Sequence, residues 1–467
     1  MIKSGETICA PASGIGGAIA MIRVSGAMSI DICGKIFFPA DRNFSLADQP
    51  GYSLALGEIR SGDDVVDEVL MSLFRAPHSY TGENSVEISC HSSAYIIKKI
   101  LELLIKNGAT PALPGEFTQR AFMNGKMDLS QAEAVADIIA STSGAAHKVA
   151  MNQMRGGFSS EIGKLRSELL SFASLIELEL DFGEEDVEFA DRDDLKEIIT
   201  RVRKMADDLA GSFMLGNAVK NGIPVAIAGK PNSGKSTLLN ALLREERAIV
   251  SEIPGTTRDT IEDTIVIDGL EYRFIDTAGL RETSDIIESM GIKKTHEKII
   301  QASIILLVDE INDDPEIINQ RSEVIRQMIK DNGQRLIILI NKSDMGTPSR
   351  QEELSKQLIL DERDSLLFIS AKEKTGLDEL RAKLGDAALK GKLNSDSVIV
   401  TNVRHYEALL RVSESLGRVL SGLESNIPED LIAIDIRQAI HYLGEITGEI
   451  TTDEILGNIF RNFCIGK

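Results

Sequence analysis

Hydrophobic positions change their period along this 467-residue chain, and the changes divide it. Up to about residue 120, short runs such as Ala18 to Val24 and Val69 to Phe74 predict strands, and Ala94 to Lys106 predicts one helix. Residues 1–120 therefore read as an α+β domain. From Ser130 the period becomes helical, with Ser130 and Glu133 spaced as a capping box. Phe158, Ile162, Leu165, Leu169, Phe172 and Ile176 step by fours and threes, the seam of a helix packed lengthwise on another. Leu195, Ile199, Val202, Met205, Leu209 and Phe213 continue the theme beyond an acidic stretch. Late in the chain Tyr406, Leu409, Val412, Leu416, Val419 and Leu423 form one helical stripe, and Leu431, Ile434, Ala439 and Leu443 form another. Thr451 to Glu454 opens the last helix as a second capping box.

Between the helical stretches, Ile223 to Ala228, Tyr272 to Ile275, Leu336 to Ile340 and Leu366 to Ile369 predict strands, and each ends on a motif. Gly229, Lys230, Pro231, Asn232, Ser233, Gly234, Lys235 and Ser236 follow the first, with the helix-forming Thr237 to Leu243 behind them. That is a phosphate-binding loop in its proper setting: backbone N–H groups turn inward and a helix dipole points at the phosphates. Lys235 is placed for the outer phosphates, Ser236 for Mg²⁺ and Thr237 for the bound nucleotide. Asp276, Thr277, Ala278 and Gly279 end the second strand, where a Mg²⁺-organising carboxylate and a γ-phosphate-sensing glycine belong. Asn341, Lys342 and Asp344 close the third. The Asp344 carboxylate can accept from both the ring N–H and the exocyclic amine of guanine, and adenine offers neither donor there. Ser370, Ala371 and Lys372 follow the fourth and supply a backbone N–H for the guanine carbonyl. Four ordered motifs at strand ends specify GTP.

Ser251, Glu252, Ile253, Pro254, Gly255, Thr256, Thr257, Arg258 and Asp259 fill the slot of a first switch, with Thr257 a candidate Mg²⁺ ligand ordered by the γ-phosphate. Many small GTPases carry a glutamine straight after Asp-x-x-Gly to orient the attacking water; Leu280 stands there. Either hydrolysis is slow, or another group takes the task, and Glu282, Asp285 and Glu288 are the available carboxylates. No arginine finger can be assigned. Asn232 either helps hold a monovalent cation that supplies the missing positive charge, or simply forms the turn.

Length and composition admit about three domains, and neither disorder nor a membrane span is expected. The start of the chain shows no signal-peptide pattern, and Cys9, Cys33, Cys90 and Cys464 show no paired spacing, so a cytoplasmic protein without disulfide or zinc is expected. The net charge of −21 disfavours nonspecific nucleic-acid binding. Part of it sits in the acidic block from Asp181 to Asp194, read as a solvated turn between helices. Any RNA contact then needs local basic surface or a partner.

Pro114 to Ala134, Pro254 to Asp259, Asp276 to Arg281 and the terminal Cys464 to Lys467 carry a resemblance that spans essentially the whole chain. It resembles the MnmE (TrmE) family of tRNA-modifying GTPases. The resemblance implies a multidomain fold: an α+β folate-binding and dimerisation domain over 1–120, an all-α domain split between 121–219 and 386–467, and an inserted P-loop α/β (Ras-like) G domain over 220–385. It implies GTP hydrolysis activated by K⁺-dependent dimerisation, with Asn232, Ser251, Ile253 and Thr256 around K⁺ and Ser236 and Thr257 on Mg²⁺. Glu288 matches the water-organising carboxylate, and Arg258 and Asp259 are further catalytic candidates. A reduced folate, formyl- or methylene-tetrahydrofolate, is implied as one-carbon donor, with Arg23, Glu87, Lys126 and Lys467 at matching positions. Cys464 is a candidate for chemistry near that folate, or else a small buried apolar group. The implied partners are a second copy, tRNA, and an FAD-dependent protein resembling MnmG (GidA) in a heterotetramer that installs an aminomethyl-type or carboxymethylaminomethyl group on the wobble uridine. No membrane partner is expected. The rivals are a switch that only recruits partners, and a folate-binding protein with a vestigial G domain. The inserted domain is expected to act as a lever on the helices it emerges from; the alternative is a rigid bundle carrying an independent switch.

Overall fold

The computed structural model describes residues 5–14, 16–41, 43–181, 192–246, 263–275, 299–329, 334–388, 398–425, 427–461 and 463–466. The chain divides into two compact units, one of residues 1–140, 150–207 and 407–467, the other of residues 141–149 and 208–406.

The first unit begins with a seven-stranded sheet of β1 (Ile8–Pro11), β2 (Ile19–Ser25), β3 (Phe37–Pro39), β4 (Ser53–Ser61), β5 (Asp64–Phe74), β6 (Ser85–His91) and β7 (Thr110–Pro111). Their order is β3-β4-β5-β6-β2-β1-β7, antiparallel except where β1 meets β7. The expected alternation is realised. Ile22, Val24, Met71, Leu73, Val86 and Ile88 turn to one face and form a core with helices α1 (Ser29–Ile36) and α2 (Ala94–Lys106). Beyond the sheet come α3 (Glu116–Met123), α4 (Leu129–Ala140), α5 (Gly144–Met154), α6 (Gly157–Asp181) and α7 (Arg192–Gly211), of which residues 144–149 of α5 and 208–211 of α7 belong to the second unit.

All six residues of the predicted α6 seam are buried. On α7 the stripe departs from the expected one: Leu195, Ile199 and Val202 are buried, but Ala206 and Ala210 replace Met205 and Leu209 as the innermost positions. The helix also ends at Gly211, and Phe213 starts α8 (Phe213–Asn221).

In the second unit, β8 (Ile223–Ala228) leads into α9 (Lys235–Glu246), followed by β9 (Asp263–Ile267), β10 (Leu270–Phe274), β11 (Ile304–Glu310), α10 (Pro315–Met328), β12 (Arg335–Asn341), α11 (Pro348–Gln357), β13 (Ser365–Phe368) and α12 (Leu377–Ala388). The strand order β13-β12-β11-β8-β10-β9 is parallel except for the edge hairpin β9–β10. This is the doubly wound order of a Ras-like P-loop domain. Alternate residues of β11 and β12 go to opposite cores, Leu306, Val308, Ile337 and Leu339 to one and Ile305, Leu307, Ile338 and Ile340 to the other. Burial on both faces is why these strands read as unbroken apolar runs.

The remaining helices are α13 (Val403–Glu424), α14 (Glu429–Thr447) and α15 (Asp453–Arg461). Leu409, Val412, Leu416 and Val419 are buried as expected on α13. On α14 the expected Leu431 and Ile434 are exposed, and Ile432, Ala433 and Ile436 join Ala439 and Leu443 inside. Two apolar faces overlap in that turn, and spacing alone selects the wrong one. Among the described residues no helix is long and apolar enough to cross a membrane.

Both capping boxes shift. Asp128, not Ser130, caps α4: its Oδ1 accepts from Gln131 N at 2.9 Å while Gln131 Oε1 accepts from Asp128 N at 2.9 Å. Ser130 is buried and its hydroxyl lies 2.8 Å from that of Ser159. The cap of α15 is Thr452, whose Oγ1 accepts from Ile455 N at 3.3 Å, so Glu454 cannot reciprocate from the third helical position. Thr452→Ala is therefore expected to cost about 1 kcal/mol and to speed amide exchange over residues 455–460 about five-fold, with Thr451→Ala near neutral. The reverse order in an exchange experiment contradicts this assignment.

Candidate functional site

The parallel strands of the second unit deliver their loops to one edge of the sheet, where a doubly wound fold binds ligands. Gly229 and Gly234 both adopt positive φ, at 142° and 97°. Gly234 passes so close to the Asn341 side chain that a Cβ would run into Nδ2. That close approach is the sequence requirement behind the second glycine of the motif. Asn232 also adopts a left-handed backbone, φ 62°, which asparagine tolerates, so its turn-forming role is realised. Lys235 opens α9 and donates from Nζ to the carbonyls of Gly229 at 2.9 Å and Lys230 at 2.6 Å. Burial lowers its pKa from the usual 10.5, partly opposed by the nearby Asp309 charge. Ser236 and Thr237 continue the first turn of α9, and Leu238 N donates to Gly234 O at 2.8 Å.

Asn341, at the end of β12, is buried and uses both ends of its amide. Nδ2 donates to Ser233 O at 2.8 Å, and Oδ1 accepts from Ala371 N at 3.0 Å. One side chain thus fastens the phosphate loop to the loop after β13. Lys342 follows with φ 60°, and Asp344 sits in a short 3₁₀ turn with its carboxylate exposed. Ser370 is buried and pairs with Thr375 through backbone bonds of 3.0 and 3.1 Å; Lys372 is exposed. Phosphate, base and carbonyl-sensing motifs, separate in sequence, therefore meet at one edge.

Sequence reasoning missed a charged cluster beside this loop. Lys230 Nζ donates to Glu310 Oε2 at 3.1 Å and to Asp313 Oδ1 at 2.5 Å, and Lys342 Nζ donates to Glu310 Oε1. The Lys342 hydrogen bond, aided by Lys230, holds the Glu310 carboxyl below its usual range. Asp309 is fully buried, pairs with Arg321, and is pushed up in pKa by burial against the pull of that guanidinium. Acidic residues just after an apolar strand are the one signal that pointed here.

Ser251, Glu252, Ile253, Pro254, Gly255, Thr256, Thr257, Arg258 and Asp259, together with Asp276, Thr277, Ala278, Gly279, Glu282, Asp285 and Glu288, lie outside the described residues. Lys467 and most of the acidic block lie outside them as well.

The first unit brings together a second set. Arg23 on β2 and Glu87 on β6 face each other in register, joined at 2.9 Å through both Nε and Nη2. The guanidinium lies over the rings of Tyr80 at 5.0 Å and Phe117 at 5.6 Å, neither of which the sequence singled out. Arg23 Nη1 also reaches Gly466 O at 3.5 Å. The chain end is docked there: Gly115 N donates to Cys464 O at 3.4 Å, and Gly466, at φ 95°, packs against the carbonyl of Pro11. Cys464 itself is exposed, which removes the reading of it as a buried apolar group. Lys126 is held by Pro77 O at 3.0 Å on the loop that also carries Tyr80.

A Ras-like sheet with a glycine-built phosphate loop and a guanine motif at its C-terminal edge defines a P-loop GTPase. Residues 129–464 match the family model described as the MnmE helical domain, and residues 7–126 match that of the GTP-binding protein TrmE N-terminus. The tRNA modification GTPase MnmE of Bacteroides thetaiotaomicron is 54% identical over 464 residues, covering 99% of each chain, and that of Christiangramia forsetii is 54% identical over 478 residues, covering 100% of each. The chain belongs to the MnmE (TrmE) family of tRNA modification GTPases. Among solved structures, Era in complex with MgGDPNP and 16S ribosomal RNA aligns at TM-score 0.27 and 26% identity, over 41% of this chain and 66% of that one. Scores this low add nothing to the assignment.

Gly234→Ala is expected to weaken GDP binding about ten- to a hundred-fold by titration calorimetry, since both the backbone and the Asn341 contact oppose a side chain. Unchanged affinity contradicts the cradle described above.

Proposed function

We propose that this chain is a K⁺-dependent, dimerisation-activated GTPase that modifies the wobble uridine of certain tRNAs with an FAD-dependent partner of the MnmG (GidA) kind. The observation that carries the reading is the Asn341 bridge, which assembles phosphate and guanine motifs in a chain 54% identical to tRNA modification GTPases over nearly its full length. Such an activity belongs to the cytoplasm.

The positive-φ glycine cradle is a space that a Cβ would fill, which suits a phosphate chain. Lys235 releases the two loop carbonyls to meet the outer phosphates, and Asp344 accepts from the guanine edge. Ala371 N–H is already engaged by Asn341, so the neighbouring Lys372 N–H is the one for the guanine carbonyl. Ser236 and Thr257 would hold Mg²⁺, with Asp276 organising its shell, and Asn232, Ser251, Ile253 and Thr256 would hold K⁺. Those ions supply positive charge to the phosphates in place of an arginine finger. Glu288 would orient the attacking water, the task Leu280 cannot perform, with Arg258 and Asp259 as further catalytic candidates.

A second copy of the chain suits the outer face of the first unit's sheet, where Leu54, Leu56, Leu70, Phe38 and Ile19 are 62%, 48%, 42%, 45% and 69% exposed. Contiguous apolar exposure of this kind marks an interaction face. Arg23 and Glu87 lie on the same face. Their charge pair, stacked on Tyr80 and Phe117, fits a reduced folate with an amine-bearing ring and an acidic tail. Lys126 and Lys467 would serve the tail carboxylates, and Cys464 would stand near the one-carbon unit. The folate supplies the carbon; GTP hydrolysis drives conformational change.

GTP turnover in K⁺ against Na⁺ tests the activation. About ten-fold or more faster hydrolysis in K⁺ is expected, together with a shift of Asp344→Asn from GTP toward xanthosine triphosphate. Equal, slow rates in both cations favour the recruiting switch instead.

A further inference from the structure

Glu310 ends β11 opposite Asn341 in the β11–β12 register, between the two halves of the nucleotide site. Its carboxylate receives one lysine from each half: Lys230 of the phosphate loop on Oε2 and Lys342 of the base motif on Oε1. The turn behind it is tight. Glu310 N donates to Asp313 Oδ2 at 3.1 Å, Asp313 N donates to Glu310 O at 3.0 Å, and Arg350 holds Asp313 O at 2.7 Å. Lys342 leaves the strand in a left-handed backbone conformation, so its stem starts in a fixed direction and its tip is held by Glu310. Lys230 keeps a second carboxylate, Asp313, whereas Glu310 is the one carboxylate paired with Lys342 among the described residues. Two ammonium groups that share one carboxylate are coupled through it.

We propose that Glu310 is a positioning residue that couples the phosphate-loop Lys230 to the base-motif Lys342, so that the two halves of the site bind a guanine nucleotide cooperatively. The inference rests on the reading of Lys342 and Asp344 as the guanine side. It adds a third tie to the two made by Asn341, one that is charged and partly exposed, and therefore weaker and adjustable. The loop between Glu310 and Asp313 thereby takes part in setting how long nucleotide stays bound.

The test is GDP affinity of the full chain, by titration calorimetry, for Lys230→Met, Lys342→Met and the double variant, each with Glu310 and with Glu310→Gln. With Glu310 present, each single change is expected to weaken GDP about three-fold, and the double to fall short of the product of the two by about two- to three-fold. With Glu310→Gln that shortfall disappears. Additive effects with Glu310 present overturn the proposal even if Glu310→Gln fails to fold, and a shortfall that survives Glu310→Gln overturns it equally. Asp344→Asn, run alongside, separates the two levels. If neither it nor Lys342→Met alters GDP affinity, the guanine-side reading itself fails.

Discussion

The nucleotide edge of this molecule depends on one buried amide. A parallel sheet brings the C-terminal ends of its strands to a common edge but does not fix the loops that leave them. Asn341 does so, giving its N–H to Ser233 and its carbonyl to the N–H of Ala371. Both bonds are buried, so losing the side chain strands a donor in one loop and an acceptor in another, each at a cost of about 1–3 kcal/mol. The close passage of Gly234 is a consequence of the same contact, because the phosphate loop can reach Asn341 only where no Cβ stands between them.

The two units place their charged and polar groups differently. In the second unit, glycine and backbone geometry make the cradle, and charged side chains such as Glu310 and Lys342 brace it from outside. In the first, the charge itself lies in the face of a sheet: Arg23 pairs with Glu87 across neighbouring strands and rests on two aromatic rings. There the docked chain end, through Gly466, closes one side. A chain with net charge −21 thus still presents a few cations whose positions are fixed by their surroundings.

Much of this was legible in the residues, for specific reasons. Three of the four nucleotide motifs lie at the ends of β8, β12 and β13 and each is contiguous in sequence, so Lys235, Asn341 and Ser370 could be placed by reading alone. The α6 seam was legible because its large residues carry the packing. The α7 and α14 stripes were misread where small alanines are the buried positions or where two apolar faces overlap. Capping was misplaced because Asp128 and Gln131 form the same reciprocal pair as a serine and a glutamate two positions on. Tyr80 and Phe117 left no local trace and Glu310 only an acidic residue at the end of an apolar run, since their partners are brought close only by the fold. The Arg23–Glu87 pair needed the family resemblance, because an arginine and a glutamate 64 positions apart announce nothing by spacing.

The most direct measurement is GDP affinity and amide exchange in Asn341→Ala. At least a ten-fold loss of affinity is expected, with protection falling together at residues 233–236 and at Ala371. Wild-type affinity, or loss of protection in only one of the two loops, would contradict the claim that a single amide holds the site together.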